Sequence, residues 1–358
     1  MCLVFLPSEL KFMPSNACPR VHRIDSLIRL AIGLGLAALL PFQTSCRQGD
    51  EEKPLQLALN WYPDAQHGGF YAALMNGYYA DEGLQVEIMP GGPNVPVLEK
   101  VAQGRAQFGV SNADQILLKR NQGAALVALL APLQESPRCI MVHRASGITS
   151  FDELSNVTLA LGPGRPFAEY LKRHAAMKDV RIVNYSGSVK RFVDDPKFAQ
   201  QGYSFSEPIV AEQLGADPVL LMLKDLGFSP YSSCLFADQA FIDENPDVVR
   251  RFVRATKRGW LAYLESPQSV NERIHELNPE LDLASLEKSA VAIRSLCIPT
   301  GKSADDVGQM ELARWEKLLQ QLKEIEFVDP AMQLDDAFDL QFLSEANDRS
   351  EATKDRVE

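Results

Sequence analysis

The chain has 358 residues, 46% of them hydrophobic, so it can bury the core of one large domain or two medium ones. Its formal net charge of −11 and its pI near 5.1 argue against a nucleic-acid partner. The sequence has no phosphate-binding loop of the GxxxxGKS type, no HExxH zinc-protease motif and no paired CxxC motif. We therefore expect no metal site and no bound cofactor.

The amino terminus resembles a lipoprotein signal peptide. Basic residues precede the apolar run 30–42, which is too short to span a bilayer well. Gln43-Thr44-Ser45-Cys46 then resembles a lipobox, although Gln43 stands where a leucine-like residue is usual. We expect residues 1–45 to be the signal peptide, Cys46 to be lipidated and 46–54 to form a tether. The alternative is an uncleaved membrane anchor.

Strands and helices then alternate along the chain, as in a mainly parallel sheet covered by helices. The patterns predict strands at 55–59, 84–89, 108–110, 126–131, 139–143, 157–161, 181–185, 203–205, 219–223 and 233–236. They predict helices from Phe70 and at 95–102, 167–177, 209–214, 281–296 and 309–325, and one that Asn245 caps and Pro246 begins. Residues 346–358 are expected to form a flexible tail.

The loop 61–69 joins the end of the first strand to the start of a helix, where ligands bind in open α/β sheets. We expect Trp61 and Tyr62 to stack on a flat ligand, unless one packs beneath the sheet. Asp64 is expected to cap the following helix and to line the site. The His67 ring is a further candidate for a ligand hydrogen bond.

Two later loops carry further candidates. Asn112 follows the strand 108–110 and is expected to contact the ligand, with helix capping as the alternative. Gly162 and Gly164 lie in a tight loop that opens a helix, whose free N–H groups suit an anion or a carbonyl oxygen. Arg165 either contacts the ligand there or pairs with a surface carboxylate.

Several of these segments resemble the ThiY/SsuA-like substrate-binding proteins, the receptors of ABC importers for thiamine-pyrimidine precursors and related molecules. The resemblance runs from Trp61-Tyr62-Pro63 and His67-Gly68-Gly69-Phe70-Tyr71 to Gln201-Gly202-Tyr203-Ser204-Phe205-Ser206-Glu207-Pro208, within about 55–264. His67 matches a histidine of the family. Tyr203 and Glu207 lie in the segment that resembles the family most, and both are expected to line the ligand site. Glu207 is expected to accept a hydrogen bond from ligand, Arg or backbone N–H.

The resemblance implies an α/β periplasmic binding protein type 2 fold, with two lobes, a ligand cleft and two crossover hinge strands. On this interpretation 55–143 and 233–345 form lobe 1, and 144–232 forms lobe 2. Cys139 and Cys234 are then expected side by side in the hinge, as free thiols rather than a disulfide.

The resemblance also implies a function without catalysis. We expect a monomeric extracytoplasmic receptor that binds a small heteroaromatic nutrient, such as a thiamine-pyrimidine precursor, and delivers it to a membrane permease of an ABC importer. A flavin or a sulfonate is an alternative ligand. The other alternative is a thiamine-pyrimidine synthesis enzyme of the same family, although the cysteines after Cys46 form no cluster.

Overall fold

The computed structural model describes residues 53–93 and 95–343. The expected signal peptide, Cys46 and the tail 346–358 lie outside these residues. Within them, two five-stranded mixed sheets form an α/β architecture, so the expected two lobes are confirmed. No helix of this described part is both long and apolar enough to cross a membrane.

The first sheet is least buried at the edge formed by β2. Its strands, in spatial order, are β2 (Val86–Met89), β1 (Leu55–Ala58), β3 (Phe108–Ser111), β10 (Cys234–Asp238) and β4 (Leu126–Leu130). β1 is parallel to β2 and β3, whereas β10 is antiparallel to β3 and β4. The apolar runs of β3 and β4 are buried throughout, as expected for strands covered on both faces.

The second sheet repeats this arrangement. Its strands, in spatial order, are β7 (Arg181–Asn184), β6 (Thr158–Leu161), β8 (Phe198–Tyr203), β5 (Arg138–His143) and β9 (Pro218–Met222). β6 is parallel to β7 and β8, and β5 is antiparallel to β8 and β9. Each sheet therefore contains one reversed strand, and both reversed strands follow a crossover between the sheets.

Helices cover both sheets. In chain order they are α1 (Gly68–Met75), α2 (Tyr78–Asp81), α3 (Val97–Ala102), α4 (Ala113–Asn121), α5 (Pro166–His174), α6 (Lys190–Asp194), α7 (Glu207–Gln213), α8 (Gln239–Glu244), α9 (Pro246–Glu265), α10 (Gln268–Leu277), α11 (Leu283–Cys297) and α12 (Leu312–Glu324). Pro246 begins its helix as predicted, and Pro166 begins α5, in both cases at a position where the missing N–H costs nothing. Asn245 makes no side-chain cap for α9; its amide instead donates to Phe241 O.

The expectation that Cys139–His143 belongs to lobe 1 is wrong, because β5 pairs on both sides with strands of the second sheet. The crossovers themselves lie side by side, joined by a bridge between Leu133 and Ser232. Cys139 and Cys234 follow these two crossovers and so enter different sheets, which contradicts their expected place side by side. Both thiols are free and buried, as predicted. We propose the lobe boundaries at the two crossovers.

The contact between α1 and α9 depends on glycine. A Cβ on Gly259 would overlap Gly69 O and lie 2.6 Å from Ala73 Cβ, so the two helices pass almost backbone to backbone. On the other side of this contact, Trp260 and Tyr263 are fully buried, with their rings against Gly69 and Gly68. This close packing fixes the position of α1 on the long helix α9. It also fixes the loop 61–67, which precedes α1.

Candidate functional site

The candidate site lies where the carboxyl ends of strands from the two sheets meet. The carboxyl ends of β1 and β3 carry the loop 61–67 and Asn112, and those of β6 and β8 carry the loop 162–165 and the segment 203–207. Asn112 Nδ2 donates to Tyr203 Oη at 2.8 Å, which brings residues of the two sheets into direct contact. Ser233 N in turn donates to Asn112 Oδ1 at 3.3 Å, so one crossover is tied to the same point.

Asp64 caps the short 3-10 helix Ala65–His67, as the sequence predicts. Its Oδ1 accepts from Gln66 N and its Oδ2 from Gln66 Nε2, both at 2.9 Å. Burial raises the pKa of Asp64 to about 7, and the charge of Glu207 acts in the same direction against the hydrogen bonds from Gln66. Asp64 and Glu207, from different lobes, are therefore near enough for their charges to interact, and Asp64 changes its charge near neutral pH.

His67 is enclosed by the fold. Its side chain is fully buried, and Nε2 lies 2.9 Å from Asn60 Oδ1. Burial lowers the pKa of His67 to about 3, so the ring is neutral and its 3.5 Å approach to Asp64 Oδ1 is not an ion pair. We propose that His67 shapes the loop rather than touching a ligand in this conformation.

Trp61 and Tyr62 stand at the surface of the same loop. Their side chains are 38% and 49% exposed, and their rings meet edge to face with centroids 5.5 Å apart. An exposed aromatic pair on a loop between strand and helix offers ring surface on which a flat ligand can stack. The alternative, that one ring packs beneath the sheet, is excluded by this exposure.

Glu207 begins α7 and lies against the end of β8. Its Oε2 accepts from Tyr203 N at 2.8 Å and its Oε1 from Tyr185 Oη at 2.7 Å. The expectation that this carboxylate meets a backbone N–H is therefore confirmed. Each oxygen retains a further lone pair, so Glu207 can still accept from a ligand.

The loop before α5 offers fewer free donors than the sequence predicts. Gly162 N already donates to Gln201 Oε1 at 2.5 Å, and Gly164 takes a left-handed turn with φ +65°. Arg165 is exposed, and its Nη1 reaches Gln115 Oε1 at 3.3 Å on α4 of the first sheet. Arg165 thus spans the lobes instead of pairing with a surface carboxylate.

The cleft is nearly shut beside Asp64. The gap lined by Asp64, Phe205, Ser206 and Leu286 has a volume of about 10 Å³, room for a single water molecule. On the far side of this gap, Ser285 Oγ on α11 donates to Gln213 Oε1 on α7 at 2.6 Å. The lobes must therefore separate here before a ring-sized ligand can reach Asp64.

Arg138 is a site residue that the sequence analysis missed. It opens β5, and its guanidinium lies between the Phe167 and Tyr203 rings, 4.4 and 4.0 Å from their centroids. Nothing in the neighbouring sequence marks it, because the two rings come from α5 and β8. Among the described residues, no group of three or more His, Cys, Asp or Glu side chains is placed to hold a metal ion.

The raised pKa of Asp64 predicts a stability that depends on pH. Folding favours protonated Asp64, so this stabilisation is complete below about pH 4 and is lost as the pH rises towards 7. Burial also raises the pKa of Asp114, which acts in the same direction. Asp64→Asn keeps a capping oxygen. It should reduce the loss of unfolding free energy between pH 4 and 7 by on the order of a few kcal/mol. Urea unfolding between pH 4 and 7 measures this.

The exposed substitution Asp152→Asn serves as the control and should leave the slope of stability against pH unchanged. Identical slopes for the wild type and Asp64→Asn would contradict the assignment of the pH dependence to Asp64.

The chain is similar to proteins named as binding proteins and to proteins named as synthases. A family model described as "NMT1/THI5 like" matches residues 64–270. Riboflavin-binding protein RibY of Chloroflexus aurantiacus is 26% identical over 64% of this chain and 68% of its own. Formylaminopyrimidine-binding protein of Halalkalibacterium halodurans is 24% identical, covering 86% and 97%. A 4-amino-5-hydroxymethyl-2-methylpyrimidine phosphate synthase of Legionella pneumophila is 24% identical, covering 80% and 91%.

Solved structures share the fold. A protein of Bordetella bronchiseptica RB50 is similar with a TM-score of 0.62 at 19% identity, over 83% of this chain and 98% of its own. A putative periplasmic sulfonate-binding protein SsuA of Methylobacillus flagellatus gives a TM-score of 0.61 at 16% identity, over 84% and 95%. At these identities the likeness concerns the architecture alone, which is that of the periplasmic binding proteins.

Proposed function

Because this chain belongs to the NMT1/THI5-like family, we propose that it is a substrate-binding protein that encloses a small heteroaromatic nutrient between its lobes. The observation that carries this proposal is the Asn112–Tyr203 contact, which joins the ligand-binding ends of the two sheets across the cleft. A ligand held there would touch both lobes and stabilise their closure.

The nature of the cleft supports a flat, nitrogen-containing ligand such as a thiamine-pyrimidine precursor. Trp61 and Tyr62 supply exposed aromatic faces, and Asp64 and Glu207 supply hydrogen-bond acceptors. Relatives are named for binding formylaminopyrimidine and riboflavin, so a flavin is an alternative of the same chemical kind. A sulfonate is less compatible, because its negative charge would meet these carboxylates.

The same proposal extends to the partner and the location. We propose that the protein delivers its ligand to the membrane permease of an ABC importer and that its folded body lies outside the cytoplasmic membrane. We propose that it acts as a monomer held by a lipid on Cys46. The resemblance of 43–46 to a lipobox is the support for this anchor.

A synthase is the second candidate, since several relatives are named 4-amino-5-hydroxymethyl-2-methylpyrimidine phosphate synthase. The three described cysteines do not support this candidate. Cys139, Cys234 and Cys297 are buried, and burial raises the pKa of the Cys234 thiol to about 12 and those of the other two still higher. Such thiols stay protonated at neutral pH and are poor nucleophiles.

Binding without turnover is the expected result for the purified protein. Riboflavin or 4-amino-5-hydroxymethyl-2-methylpyrimidine should raise the melting temperature, since a ligand at 100 times its Kd stabilises the folded state by about 2.7 kcal/mol. Thermal unfolding measures the shift, and chromatography of the recovered ligand measures conversion. Steady conversion of either compound by the protein alone would contradict the receptor proposal and favour the synthase.

A further inference from the structure

Arg138 is held in one orientation with its hydrogen-bonding edge unused. The guanidinium carbon lies over the Phe167 and Tyr203 rings, 4.4 and 4.0 Å from their centroids, and Asn112 hydrogen-bonds Tyr203 from the other lobe. Among residues 53–93 and 95–343, the Arg138 guanidinium has no hydrogen-bond acceptor. Its planar fork of N–H donors therefore remains available to a planar acceptor.

Asp114 is an unused acceptor nearby. It lies in the first turn of α4, two residues after Asn112, and is 6% exposed. Its Oδ2 accepts from Gln115 Nε2 at 3.0 Å, whereas its Oδ1 is buried with no hydrogen-bond partner in the described part of the chain. A buried carboxylate oxygen without a donor costs free energy, so this arrangement suits a ligand that supplies one.

The two groups act on one another across the cleft without forming an ion pair. The charge of Arg138 lowers the pKa of Asp114, and that of Arg165 does so more weakly, both against burial, which raises it. Asn112, two residues before Asp114, hydrogen-bonds the Tyr203 ring over which Arg138 lies. The donor group and the acceptor oxygen are therefore brought near one another from opposite lobes. A ligand that joins them must accept at one position and donate at a neighbouring one.

We propose that Arg138 and Asp114 together recognise one edge of the ligand, on which a hydrogen-bond acceptor stands beside an N–H donor. Lactam rings and aminopyrimidines carry this edge, whereas a sulfonate carries acceptors only. The inference rests on the proposed function and narrows its ligand class. Arg138 and Asp114 would then be the residues that determine specificity, and the aromatic pair Trp61–Tyr62 would add stacking that any flat ring can use.

Two pairs of probes, whose members differ only in the N–H donor, test this proposal directly. Riboflavin is compared with 3-methylriboflavin, and 4-amino-5-hydroxymethyl-2-methylpyrimidine with its 4-dimethylamino derivative, by calorimetry on the purified protein. Ethanesulfonate is the acceptor-only probe. The parent compound that binds should bind at least about tenfold more tightly than its methylated partner, which is roughly 1.4 kcal/mol.

Substitutions separate specific recognition of the ligand edge from steric effects. Arg138→Lys keeps the charge but loses the planar fork of donors, and should weaken binding of the parent compound by at least about tenfold. Asp114→Asn should reduce the preference for the parent over the methylated partner, a ratio that a merely steric effect of the methyl group would leave unchanged. Arg191→Lys is the matched control, because Arg191 stacks on Phe198 at 4.3 Å, at the opposite end of β8 from Tyr203.

The outcomes distinguish the two proposals. Equal affinity for both members of each pair, or tight binding of ethanesulfonate alone, would overturn the edge-recognition proposal while leaving a receptor. Binding of no probe by the folded wild-type protein would count against both. If Arg138→Lys fails to fold, the wild-type ratio between paired probes still decides.

Discussion

Replacing Gly259 by alanine should lower the free energy of unfolding by about 3 kcal/mol, the upper range for overpacking a well-packed contact. The added methyl would overlap Gly69 O, a backbone atom inside α1 that cannot rotate away. Gly69→Ala should behave similarly, because its Cβ would overlap the buried ring of Trp260. Urea unfolding measures both effects.

Gly104→Ala is the control for backbone strain alone. Gly104 has φ +66°, and an added Cβ would meet no atom within 4 Å, so its cost should stay at about 1–2 kcal/mol. A Gly259→Ala variant no less stable than Gly104→Ala would show that α1 and α9 separate easily.

Trp61→Ala should weaken ligand binding at least tenfold, roughly 1.4 kcal/mol, and leave the melting temperature of the free protein nearly unchanged. The ring is 38% exposed and its ring contact is with Tyr62, so its removal opens no cavity in the core. Calorimetry and thermal unfolding measure the two effects. An unchanged affinity would place Trp61 outside the site.

Glu207→Ala is the informative partner of that variant, since it should weaken binding by a similar factor and also destabilise the free protein. Its removal leaves Tyr203 N and Tyr185 Oη without their acceptor, at a cost of about 1–3 kcal/mol each if they stay buried. The sequence predicted the backbone N–H contact of Glu207 but not the hydrogen bond from the Tyr185 hydroxyl.

Local patterns predicted most of the elements. Alternating or continuous apolar runs identified nine of the ten strands of the described chain, whereas the strand predicted at 203–205 is β8, which lies at Phe198–Tyr203. Asp64 was recognised as a cap from its position before the helix. The short helices α6, α8 and α10 were missed. Each contains few apolar residues, and packing against neighbours rather than intrinsic propensity stabilises such short helices.

The sheet to which a strand belongs was harder to predict than the strand itself. The run 139–143 reads as an ordinary buried strand, and only its pairing with β8 and β9 assigns it to the second sheet. Arg138 was missed for the same reason, because the aromatic rings on its two faces lie 29 and 65 residues further along the sequence, at Phe167 and Tyr203. Contacts between distant segments leave no periodic signal in either one.

The reversed strand β10 imposes an order on how the protein can be made. β3 and β4 are neighbours of β10 and not of each other, so a nascent chain that has completed β4 holds the first sheet with a gap in its middle. That gap stays open while every strand of the second sheet leaves the ribosome, and its unpaired edges are the kind that attract other chains. Maturation of the first lobe must therefore wait for the whole insertion, and until then its unpaired strand edges need protection from other chains.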